Sequence, residues 1–400
     1  MSHNKKVSID PRLYWSLPGP TNFISQIRQS VASSSLLWIN MPNDVIQGVW
    51  NGIEEGLSHT QIERVKLYIR AGTDIATDLA PRLLQTNEIE LTSSRMTAQE
   101  LAHFNLKEIV VLLIPEDDHG LLKCRQFASD FYESLQANTS TCTAHVIFCD
   151  RDEKITDNRQ DKGISIIVFD GGLTPDEMDA YVALRMLERP GPGSTKLVRG
   201  IVSEFAGFDV EFAEQIMSLD ESQIMNICNN LSLLQSDSHS RWRQPSWISR
   251  SQSLVSPGVY HVLHDCYLTN HGTPHEKEQS AKRIKSRYWR ACIKVITPWL
   301  EERRSPVLAC FKQQIQAIAD RNCGTIPTGR DGFFLDPEQI EYNNVVGMAR
   351  KELKMQTQKQ LDALSICKKV KAVRDEIAHL RMPDVNNVFD LIFAMDRYLQ

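Results

Sequence analysis

Long apolar runs are missing from this chain. The longest, Ile109–Ile114, is far shorter than the ~20 residues that a membrane-spanning helix requires. Residues 1–12 carry no apolar core of a secretion signal, so a cytoplasmic protein with no membrane partner is expected. CxxC pairs are also absent. The nine cysteines, at 124, 142, 149, 228, 266, 292, 310, 323 and 367, are odd in number, which suits reduced thiols. Charge of either sign is scarce in excess, with a net of −5 over 400 residues, and this excludes a globally basic nucleic-acid coat. No Gly-Lys-Ser/Thr phosphate loop follows any apolar run, so no nucleotide cofactor is implied.

What the chain has is alternation. Leu36–Ile39, Val65–Ile69, Ile109–Ile114, His145–Phe148 and Ile164–Phe169 are short, rich in β-branched and aromatic residues, and read as strands. Helical patterns over 44–57, 74–84 and 121–135 lie between them. Strand–helix alternation predicts an α/β domain over 1–173, a mostly parallel sheet with helices on both faces. Asp44 reads as a helix N-cap where a phosphate loop would otherwise stand, and a carboxylate there repels phosphate. Asp170 ends the last strand in the manner of an acidic Walker B residue. The domain therefore resembles a degenerate NTPase-like fold. Residues 190–196 place Ser, Thr and Lys after glycine, but a helical pattern precedes them, so they read as a capped hinge.

From 174 onward the strand signal stops and helical spacing takes over, with 174–259 as a helical linker region and 236–259 as an aperiodic loop. An all-α domain is expected over 260–400. Two clusters there admit two readings each. His261, His264, Cys266, His271 and His275 are metal-ligand types, but their spacing matches no zinc finger, and polar loop residues are the plainer reading; no metal site is assigned. Arg241, Trp242, Arg243 and Trp247, with the basic stretch 282–290, mix phosphate-neutralising and base-stacking side chains; Arg287 and Arg290 are candidate RNA contacts. The other reading makes Tyr288, Trp289, Cys292, Ile293 and Ile296 a core stripe with the cations as its solvated face.

A long helical pattern over 338–372 leads to Arg374-Asp375-Glu376-Ile377-Ala378-His379, followed by Pro383 and a last amphipathic helix. Arg374, a polar residue immediately after it, and His379 form the pattern by which this segment resembles the HEPN family of small helical domains. Asp375 stands where Asn is commoner. The resemblance implies metal-independent RNA cleavage, often in a homodimer. His379 would move a proton at the ribose 2′-OH or the leaving oxygen. Arg374 would stabilise charge on the phosphate, and Asp375 would orient one of them or the RNA backbone. Lys368, Lys369, Lys371 and Arg381 supply local positive charge for RNA. Other members of the family serve as assembly modules. Together the two halves resemble the domain grammar of bacterial conflict and antiviral systems. The expected protein is thus a defence-associated one that cleaves or binds RNA, with the N-terminal half as sensor or docking module for a partner protein. The alternative is a non-enzymatic adaptor in a complex.

Overall fold

A computed structural model describes residues 9–41, 48–57, 63–86, 96–102, 109–137, 145–150, 159–161, 164–169, 171–187, 194–234, 261–327 and 334–400. Asp44, Cys142, Asp170 and the stretch 235–260, with Arg241, Trp242, Arg243 and Trp247, lie outside them. The described chain divides into two compact units, Ile9–Gly172 and Leu173–Gln400.

The first unit runs α1 (Pro11–Trp15), α2 (Pro18–Ser33), β1 (Leu36–Asn40), α3 (Val49–Leu57), β2 (Glu63–Ile69), α4 (Ile75–Thr86), α5 (Ala98–Leu101), β3 (Ile109–Pro115), α6 (Asp118–Ala137), β4 (His145–Asp150), β5 (Arg159–Asp161) and β6 (Ile164–Val168). The sheet order is β2-β3-β4-β1-β6-β5, parallel from β2 to β6, with β5 added antiparallel on the edge. Successive side chains alternate between faces. Leu36, Val65, Leu67, Val111, Leu113, Val146 and Phe148 meet the buried sides of α4 and α6, including Leu79, Phe127 and Phe131. Leu37, Ile39, Val110, Leu112 and Ile147 are buried on the other face, where α2 packs against β1 and β6. Phe23 of α2 stacks on Phe169 with ring centroids 4.1 Å apart. The expected α/β architecture is present, and the polar strand β5 is an addition to it.

The second unit is helical: α7 (Pro175–Met186), α8 (Ser194–Ala206), α9 (Val210–Met217), α10 (Glu221–Met225), α11 (Ile227–Asn230), α12 (Val262–His271), α13 (Pro274–Leu308), α14 (Lys312–Arg321), α15 (Tyr342–Met348), α16 (Gln358–Ala378) and α17 (Val385–Leu399). Helix starts are encoded locally. Thr174 and Thr273 each cap a helix through a reciprocal box with the Glu three residues on, with Pro at the first helical position. Thr357 does the same with Gln360, which is why the pattern over 338–372 is two helices rather than one. Among the described residues, two short strands, β7 (Ile326–Pro327) and β8 (Phe334–Leu335), pair antiparallel here. Helix α8 packs on α13, and α13 also meets α12 and α16, so residues from 174 to 234 belong to the same unit as the C-terminal helices.

Candidate functional site

The Arg374–His379 segment is the last turn of α16. The helix ends in a two-bond lock: the Leu380 N–H donates to the Ile377 carbonyl at 3.1 Å, and the Arg381 N–H to the Glu376 carbonyl at 2.9 Å. Leu380 takes the left-handed position that glycine usually fills, with φ +57°, and its side chain is 75% exposed. From α13, the Trp289 Nε1–H donates to the Ile377 carbonyl at 2.9 Å. The structure thereby joins an aromatic residue of the basic stretch to the motif, as a helix-end anchor.

His379 is exposed at this end, and among the described residues its ring makes no hydrogen bond or ion pair. Arg374 lies five residues earlier, about 140° around the helix axis at 3.6 residues per turn. Its Nη1 is 2.8 Å from Glu341 Oε2, at the start of α15. The Asp375 side chain turns to Lys371, one turn back on the same helix, while its carbonyl accepts the His379 N–H at 3.1 Å. The expected role of Asp375 in orienting either residue is therefore not what the free chain displays.

Most cations assigned to RNA already have carboxylate partners. Lys369 pairs with Asp390 of α17 at 3.1 Å, and Arg381 with Glu376 at 4.0 Å. Lys368 stays exposed. Arg290 donates to Glu204 of α8 at 2.8 Å and is a link between helices. Arg287 is the clearest correction. It is 3% exposed, its Nη2 stands 3.6 Å from Asp265 Oδ2, and no phosphate can reach it. Helical spacing turns Arg287 inward beside Tyr288 and Ala291, and buried Asp265 on α12 compensates its charge. Arg283 Nε completes the pair from the other side, 2.6 Å from Asp265 Oδ1. Burial pushes the Asp265 carboxyl up against the pull of both guanidiniums, and burial likewise pulls Arg287 down.

The histidine cluster is dispersed. His261 caps α12, accepting the Leu263 N–H at Nδ1 (3.3 Å) while its Nε2 stands 3.5 Å from Asp209. Cys266 is buried, and burial first, with Asp265 adding, pushes its thiol up to about 12. His271 and His275 are exposed. Among the described residues no three His, Cys, Asp or Glu side chains converge on one metal position.

Sequence reasoning missed Glu341 and Asp390, the acidic partners of the motif's surroundings. Glu341 carries one local signal, the Asn three residues later whose Oδ1 accepts the Glu341 N–H. Nothing local points to Arg374. No protein-family model matches this chain, and no curated protein matches it.

Proposed function

We propose that the helical unit is a HEPN-like module that binds or cleaves RNA at the C-terminal end of α16. It would serve in a cytoplasmic, defence-associated protein whose α/β unit is a degenerate NTPase-like sensor or docking module. One observation carries the reading: His379 stands exposed on a backbone fixed by the helix-end lock and by Trp289. An imidazole there is not needed by the core, and it can take a proton from the ribose 2′-OH as that oxygen attacks phosphorus, or supply one to the departing oxygen. Leu380 in a left-handed conformation beside it is the strain that functional turns often store. Arg374 would meet the phosphate once released from Glu341.

The test is a labelled RNA pool incubated with wild type, His379→Ala and Arg374→Ala, with native partners present and folding checked by circular dichroism. Loss of ~10²–10⁴-fold in rate with RNA affinity retained is expected for His379→Ala. Arg374→Ala should weaken both, and chelators should change neither. Intact RNA under all conditions overturns the cleavage reading.

A second reading, a non-enzymatic assembly subunit, is favoured by the ion pairs that already occupy Arg374 and Asp375. It predicts that Arg374→Ala abolishes a partner complex or lowers the melting temperature, with no cleavage to lose.

A further inference from the structure

Arginine is used in two ways in the helical unit. Arg287, buried, reaches the fully buried Asp265 and belongs to the core, while half-buried Arg283 joins the same carboxylate from the rim. Arg374 and Glu341 differ from them: their side chains are 32% and 43% exposed. A water-exposed pair of this kind contributes little to stability, too little to hold a bundle and little enough for a phosphate to displace.

The partner also comes from elsewhere in the fold. Lys371–Asp375 and Arg381–Glu376 join neighbours within one stretch of chain, whereas Glu341 reaches Arg374 from the start of another helix, 33 residues away, as Asp390 reaches Lys369. The backbone around Glu341 is firmly set. The Tyr342 hydroxyl donates to the Leu300 carbonyl at 2.8 Å, and Arg304 Nη1 donates to the Ile340 carbonyl at 3.2 Å. Glu341 N–H donates to Asn344 at 2.8 Å. These bonds fix the chain on both sides of Glu341, whose half-exposed carboxylate meets the motif arginine.

We infer that Glu341 is a built-in competitor for RNA phosphate: its carboxylate occupies the Arg374 guanidinium in the free chain, and a backbone phosphate replaces it when RNA binds. The inference rests on the RNA reading above. Carboxylate and phosphate are both oxyanions that suit the same guanidinium N–H fork, so the two compete for it. Because the phosphate replaces the carboxylate in the complex, removing the carboxylate raises affinity without adding a phosphate contact, whereas removing Arg374 takes one away. Each additional neutralised phosphate steepens the dependence of log K on log salt by about 0.7 for a single strand.

The experiment titrates the full-length wild type, Glu341→Gln, and the double variant Glu341→Gln/Arg374→Ala with a labelled single-stranded RNA oligonucleotide across a salt series. Glu341→Gln should bind several-fold more tightly at an unchanged salt slope, and the added Arg374→Ala should abolish the gain and flatten the slope by about 0.7. Glu341→Asp, which withdraws the charge by one methylene, should shift binding the same way and serves if the Gln variant fails to fold. Wild-type binding with an affinity that neither Glu341 variant alters overturns the competitor and leaves the RNA reading standing. A gain that survives Arg374→Ala overturns it too, because the charge change would then act elsewhere. Absence of RNA binding in every variant overturns both.

Discussion

Arg125 on α6 grips Asp150 at the end of β4 with two groups, Nε at 2.9 Å and Nη2 at 2.6 Å, and the carboxylate has no exposure to solvent. The Trp38 Nε1–H of β1 donates to the same carboxylate at 3.0 Å. One buried carboxylate therefore fastens a helix to the end of β4 and the middle of β1. Arg125→Ala should cost about 3 kcal/mol in chemical denaturation, because it leaves Asp150 buried without its counter-charge. Adding Asp150→Asn to that variant should recover part of the loss. Equal midpoints for wild type and Arg125→Ala would remove the pair from any account of stability.

Glu204 supplies a pH dependence with a definite sign. Burial raises its carboxyl pKa, but hydrogen bonds from Lys294 and Arg290 outweigh burial and hold it below the ordinary 4.5. The folded state then releases this proton more readily than the unfolded chain, so the stabilisation is present above that value and fades as pH falls through the folded pKa. The difference in melting temperature between wild type and Glu204→Gln should be steady at neutral pH and shrink in acid below 4.5. A difference that grows in acid would contradict the assignment.

The cysteines should divide sharply by reactivity. Burial pushes the thiols of Cys124, Cys228, Cys266 and Cys367 up to about 12, which leaves almost no thiolate at neutral pH. Cys323 is exposed. Brief alkylation of the folded protein followed by peptide mass mapping should label Cys323 and spare those four until denaturant is added. Early labelling of Cys266 or Cys367, both buried, would mean that the helical core opens readily.

Leu380 bears the cost of a left-handed backbone at the end of α16, with no compensating burial. Leu380→Gly should raise stability by about 1 kcal/mol, while Leu380→Ala, which keeps the Cβ, should not. Thermal melts of the three proteins decide it. If the turn serves RNA, Leu380→Gly should also weaken RNA binding despite the added stability.

The elements were legible because their causes are local. Strands β1, β2, β3, β4 and β6 announce themselves as short runs of β-branched and aromatic residues, and the alternation with helices implies a parallel sheet. Strand β5 carries no such signal: Arg159-Gln160-Asp161 is polar and becomes a strand by pairing with β6. The break before Thr357 was hidden for another reason, since apolar spacing continues on both sides of it and only the capping box marks the new start. At the candidate site, the Arg-polar-x3-His pattern can be read from adjacent residues, but the fate of each cation cannot.

By itself the sequence determined an α/β half, a helical half, and the adjacent Arg374–His379 pattern after a helical stretch, because periodicity and short motifs depend on residues a few positions apart. The tertiary structure decided which charges meet. Arg287 goes inside because Asp265 of α12 waits beside α13, Arg374 is occupied because α15 brings Glu341 to it, and His379 is left exposed. An ion pair needs its two groups within a few ångströms, and for residues tens of positions apart only the packing of helices sets that distance.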